Sequence, residues 1–116
     1  MKFSYKKLAM GVLASVMLAG AASAGELLVY SSTDADNLKY YMDNFQKDNP
    51  DIKVKVVRES TGTMAAKMMA EKDNPQADVL FEMAATVALN METQGMFHPY
   101  TPKGMDKIDQ RYVDKE

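Results

Sequence analysis

Three short stretches hold the residues best suited to chemistry: Ser31-Ser32-Thr33, Ser60-Thr61-Gly62-Thr63 and Ala84-Ala85-Thr86. Each is small or hydroxylated, and each stands where an apolar run gives way to a helical pattern. The start of a helix presents unpaired backbone N–H groups and about half a positive charge. Small side chains let a ligand approach that backbone, and hydroxyls add short hydrogen bonds. Gathered on one edge, the three stretches suit an oxyanion such as phosphate, phosphonate, sulfate or carboxylate. Ser31, Ser32, Thr33, Ser60, Thr61, Gly62, Ala84 and Ala85 are the candidate ligand contacts. Any helix cap draws on the same residue types, so the recurrence at three turns carries the argument.

Acidic residues share these turns: Asp34, Glu59 and Glu82. A carboxylate repels an anion unless the ligand also brings a cation. Asp34 and Glu82 are therefore candidate contacts for the amine of a zwitterion, or for a metal that arrives with the ligand. The sequence assigns no metal-ligand set.

The elements that must position these turns read as alternating strand and helix. Glu26–Tyr30 is a short apolar run, read as a buried strand. Leu38, Tyr41, Met42 and Phe45 then fall at i, i+3, i+4 and i+7, one apolar helical face, capped by Thr33 or Asp34 and stopped by Asn49-Pro50. Ile52–Val57 alternates apolar and basic residues, a strand with one exposed face near a sheet edge. Met64, Ala65, Met68 and Met69 form the inner face of a second helix. Asp78–Glu82 is a third strand, and Ala84, Val87, Ala88 and Met91 form a third helical face, ended by Gly95. Phe97-His98-Pro99-Tyr100 is extended, and Met105, Ile108 and Tyr112 begin one more helical stretch. Three strand–helix pairs in succession predict an α/β fold: an open parallel sheet with flanking helices, βαβαβα, joined by right-handed crossovers. Ligands of such sheets bind beyond the carboxyl ends of the strands, where the three turns lie.

Composition narrows the function classes. The 116 residues are 47% hydrophobic and 26% charged, an ordinary soluble balance that excludes disorder over most of the chain. With no cysteine, disulfide scaffolds and thiolate metal sites are excluded. The net charge of −2 argues against a nucleic-acid partner, which calls for a basic face. Lys2, Lys6 and Lys7 precede the uncharged run Leu8–Ala19, and Ala22-Ser23-Ala24 supplies small residues for a signal peptidase. Residues 1–24 thus read as a secretory signal peptide, the apolar run falling short of the roughly 20 residues a membrane span needs. Residues 25–116 form the exported part.

Leu28-Val29-Tyr30-Ser31-Ser32, Glu59-Ser60-Thr61-Gly62, the segment from Ala70 to Val79 and Phe97-His98-Pro99-Tyr100 followed by Pro102-Lys103-Gly104 carry a family likeness. Over Leu27 to Lys107 the chain resembles the extracellular solute-binding proteins of ABC importers, among them ferric-iron and 2-aminoethylphosphonate binders. The resemblance implies a two-lobed, hinged periplasmic protein, non-enzymatic and without a cofactor. It would close on a small anionic or zwitterionic solute, phosphonate-like or ferric iron with an anion. An ABC permease in the inner membrane would then receive that solute. The family's length implies that residues 25–116 are the first part of lobe one, from a protein monomeric when full length. The alternative is a truncated exported remnant that binds nothing.

Other chemistry is set aside. Tyr40 and Tyr41 are adjacent in a helix, so their side chains diverge by about 100° and do not chelate together. His98 is the only histidine and lies away from the serine-bearing turns, which gives no Ser–His–Asp arrangement. Met42, Met64, Met68, Met69 and Met91 fit helical faces, so methionine is core filler here and not a copper site. Gly62–Lys67 lacks the second glycine and terminal hydroxyl of a phosphate-binding P-loop.

Overall fold

A computed structural model describes residues 25–113. The signal peptide read over residues 1–24 lies outside the described residues. The apolar run at the start forms β1 (Glu26–Ser31), followed by α1 (Ala35–Asp48), β2 (Lys53–Arg58), α2 (Thr61–Ala70), β3 (Val79–Phe81) and α3 (Ala85–Glu92). All pairings are parallel, and the strand order is β2-β1-β3. This is the α/β open parallel sheet expected from the alternation. The chain reverses direction across the sheet at β1, since β2 lies on one side of it and β3 on the other. Such a reversal opens a crevice outside the strand ends.

Side-chain alternation along β1 divides the core between two faces. Tyr30 points to one face, where it is buried with Met64 and Met68 of α2 and Met91 of α3, flanked by Leu28, Val57 and Leu80. Val29 points to the other, towards α1, where Leu38 is also buried. Tyr30, Val57 and Leu80 stand in register across the three strands, so one row of the sheet supplies the floor of the methionine core. Unbranched, flexible methionines fill the irregular space between two helices and that floor.

Three helical expectations are corrected. Tyr41 and Phe45 of α1 are exposed, as is Met69 of α2. Tyr41 lies against Phe81 with ring centroids 5.4 Å apart, and with Phe45 and Val79 the two rings border an apolar depression of about 300 Å³. Helical spacing had put these residues on one face, but no described element covers it. The final stretch is two single turns of 3-10 helix, Met105–Lys107 and Gln110–Tyr112, with Ile108 and Tyr112 exposed. Ile108 is extended, at φ −95° and ψ 137°, which breaks the helical run, and Gly95 takes left-handed backbone at φ 70° just past the end of α3.

The outer edges of the sheet differ. β2 carries Lys53, Lys55 and Arg58, whereas β3 is Val79-Leu80-Phe81, fixed only to β1. Asp78 clamps the start of β3: its N–H donates to the Leu28 carbonyl at 2.9 Å, and its carboxylate accepts from the Leu28 N–H at 2.8 Å.

A part-buried cluster ties α2 to β1. The Tyr30 hydroxyl donates to the Glu71 carboxylate at 3.1 Å, and Lys67 Nζ pairs with Glu71 at 2.5 Å and lies over the Tyr30 ring. The Lys67 ammonium, and then the tyrosine hydroxyl, hold the Glu71 carboxyl below its ordinary value. A folded-state value below the unfolded one stabilises the fold above the usual glutamate range, about pH 4.3, and that contribution disappears as pH falls through the lowered value. Thermal melts taken from neutral pH downward should show a falling midpoint in this acidic window. Glu71→Gln should flatten that fall, and an equally steep fall in the variant would disprove the assignment.

Candidate functional site

The strand ends meet at one edge, and Ser32 is their centre. Its N–H and its hydroxyl both donate to the Glu82 carbonyl, at 3.2 and 3.0 Å, which joins the end of β1 to the end of β3. The Thr61 hydroxyl donates to Ser32 Oγ at 3.1 Å, bringing in the start of α2. The Glu59 N–H donates to the Ser31 carbonyl at 3.1 Å, and Arg58 Nε to the Thr33 carbonyl at 2.7 Å. At this edge one hydrogen bond joins residues 29 positions apart in the chain, and two join residues 50 positions apart.

The candidate residues occupy different roles within it. Ser31 is fully buried, and its hydroxyl accepts from the Thr33 N–H at 3.2 Å, so it shapes the turn from below. Ser32, Thr33 and Thr61 are half-buried, while Ser60 and Gly62 are exposed. Ser60 is the N-cap of α2, accepting from the Thr63 N–H at 3.2 Å. A Cβ built on Gly62 meets nothing within 4 Å, so the first turn of α2 faces open space there. Ala84 caps α3 without any side-chain hydrogen bond, and Ala84 and Ala85 are exposed. They lie two and three residues beyond Glu82 and hydrogen-bond to neither of the other turns.

The acidic residues divide in the same way. Asp34 is the N-cap of α1, accepting from Asn37 N at 3.0 Å and from Asn37 Nδ2 at 2.6 Å. The backbone hydrogen bond from Asn37 holds its carboxyl below the ordinary range, so it is ionised at neutral pH with both oxygens engaged. Glu82 is exposed and adopts φ 50°, left-handed backbone unusual for a residue with a side chain. That geometry turns its carbonyl towards Ser32. Sequence reasoning missed this conformation, and it missed Arg58, whose visible signal was a cation two positions before Ser60.

Elsewhere, a depression of about 230 Å³ is bordered by Tyr30, Glu71, Asp78 and His98, at the amino end of β3. Among the described residues, no three His, Cys, Asp or Glu side chains are grouped to hold a metal ion, and no helix is long and apolar enough to cross a membrane.

The sequence profile of the bacterial extracellular solute-binding proteins matches residues 31–116. The chain belongs to that family. Similar proteins include an uncharacterized protein of Haemophilus influenzae, 32% identical over 127 residues, covering 97% of this chain and 33% of that protein. A probable ABC transporter periplasmic-binding protein, y4fP, of Sinorhizobium fredii is 29% identical over 105 residues, covering 89% and 29%. The chain thus spans about a third of the length of the curated relatives it matches. Among solved structures it is similar to the periplasmic binding protein AfuA from Actinobacillus pleuropneumoniae with fructose-6-phosphate bound, at a TM-score of 0.71 and 28% identity. It is also similar to the periplasmic binding protein P5PA, at 0.69 and 25%. Each match covers 77% of this chain and 28% of the other.

Proposed function

We propose that the chain is the N-terminal part of the substrate-binding component of an ABC importer, exported by residues 1–24 to the periplasm. It captures a small anionic or zwitterionic solute and does no chemistry on it. The observation that carries this reading is the joining of three strand ends through Ser32 in a chain of the solute-binding family. Ser32, Thr33, Thr61, Gly62, Ala84 and Ala85 offer hydroxyls and approachable N–H groups, while Ser31 and Ser60 fix the turns that present them. Glu82 is the side chain left for a ligand amine, Asp34 being engaged as a cap. The fructose-6-phosphate in the AfuA structure favours a phosphate-bearing or phosphonate-like solute over ferric iron. An inner-membrane permease receives the solute, and the full-length protein works as a monomer.

Adding fructose-6-phosphate, and separately inorganic phosphate, to the isotope-labelled chain at millimolar levels should shift the amide signals of Ser32, Thr33 and Thr61 to Met64. Gly62→Leu should leave melting unchanged or raise it slightly, since leucine is the better helix former by about 1 kcal/mol and a Cβ at this position meets nothing within 4 Å. The same variant should weaken either ligand by about tenfold or more, because its side chain stands before the α2 N–H groups. Shifts confined to the depression near His98 would sink this strand-end reading, and no shifts at all would favour a remnant that binds nothing.

A further inference from the structure

Resting on that reading of the strand ends, we infer that Arg58 determines their preference for anions, tethered through Nε to the Thr33 carbonyl so that the remaining face of its guanidinium serves the ligand. The charges at this edge require such a group. Asp34, Glu59 and Glu82 place three carboxylates around the three turns, and Arg58 is the cation among them. The other ion pairs take up cations elsewhere: Lys39 with Asp43, Lys55 with Glu26, Lys67 with Glu71 and Arg111 with Asp109. Among the described residues Arg58 has no carboxylate partner, though acidic residues precede and follow it at the turns.

Its geometry suits the task. Arg58 is the last residue of β2, opposite Ser31 in the parallel register, so its backbone is fixed at the sheet's carboxyl edge. The 2.7 Å bond from Nε fixes one side of a planar group. The two terminal nitrogens form the fork that matches two oxygens of a phosphate or carboxylate. The same bond holds the Thr33 carbonyl, so Arg58 joins the β1 turn to the β2 turn while offering charge. Lysine in its place would bring a point charge without the fork.

The test uses inorganic phosphate as the probe and amide shifts as the readout, on the chain and on Arg58→Gln and Arg58→Lys. Loss of a charged hydrogen bond predicts phosphate binding about tenfold or more weaker in Arg58→Gln. Arg58→Lys should recover part of it. In the unsubstituted chain the Arg58 Nε–H signal should itself shift, with the same midpoint as the Thr61 amide, a reading that depends on no variant. Wild-type binding with an unmoved Arg58 signal, or equal affinity in Arg58→Gln, overturns the inference and leaves the strand-end site standing. An equal loss in both variants assigns Arg58 a positioning role alone and also overturns it. Failure of the unsubstituted chain to bind phosphate defeats both readings.

Discussion

Met64→Ala should leave the chain largely unfolded at physiological temperature. Met64 is fully buried and touches the centre of the one core that α2 and α3 share with β1. Truncating a buried methionine costs about 2–5 kcal/mol, from lost transfer energy and the cavity left behind. A small domain has a total stability of about 5 kcal/mol at the low end of the usual range, so the loss is of the same order as the whole. Urea unfolding followed by circular dichroism measures it. Met64→Leu, nearly equal in volume, should lose less than about 1.5 kcal/mol. An alanine variant that unfolds at the wild-type midpoint would show that the methionine cluster does not hold the helices to the sheet.

Glu82 should respond in opposite senses to two substitutions. Its φ of 50° costs a residue with a Cβ about 1–2 kcal/mol, and glycine does not bear that cost. Glu82→Gly should therefore raise stability by up to about 1 kcal/mol, the gain reduced by the freer unfolded chain. Glu82→Val should lower it by about 1–3 kcal/mol, since a β-branched side chain fits left-handed backbone worst. The valine variant should also blunt the response of the Ser32 amide to phosphate, because the Glu82 carbonyl is what Ser32 binds. Paired melts of the two variants decide the point: both moving in the same direction would mean that backbone strain at position 82 does not govern stability.

Much of this was legible in the residues. The apolar run before Ser31, the spacing of Leu38 and Met42, and the prolines after each of the first two helices placed β1, α1 and α2 closely. Local pattern carries that information because it reports which residues share a face. It does not report whether anything covers the face, and Tyr41, Phe45 and Met69 were misjudged for that reason. The position of β3 beside β1 depends on contacts some 50 residues apart, which periodicity does not encode. The three turns could be named as a set from their composition. Ser32 as their hub, the left-handed Glu82 and the tether of Arg58 are consequences of how the strands are ordered, and so they emerged only in three dimensions.

The two borders of the sheet have unequal prospects. Lysines along β2 discourage another backbone from approaching, since a neighbouring strand would have to desolvate their charges. Val79-Leu80-Phe81 offers no such deterrent, and beside it lies the uncovered ring of Tyr41. Growth of this sheet is accordingly directional. In a solution crowded with copies of the chain, the aggregation hazard is therefore expected to be greater on the β3 flank than on the β2 flank.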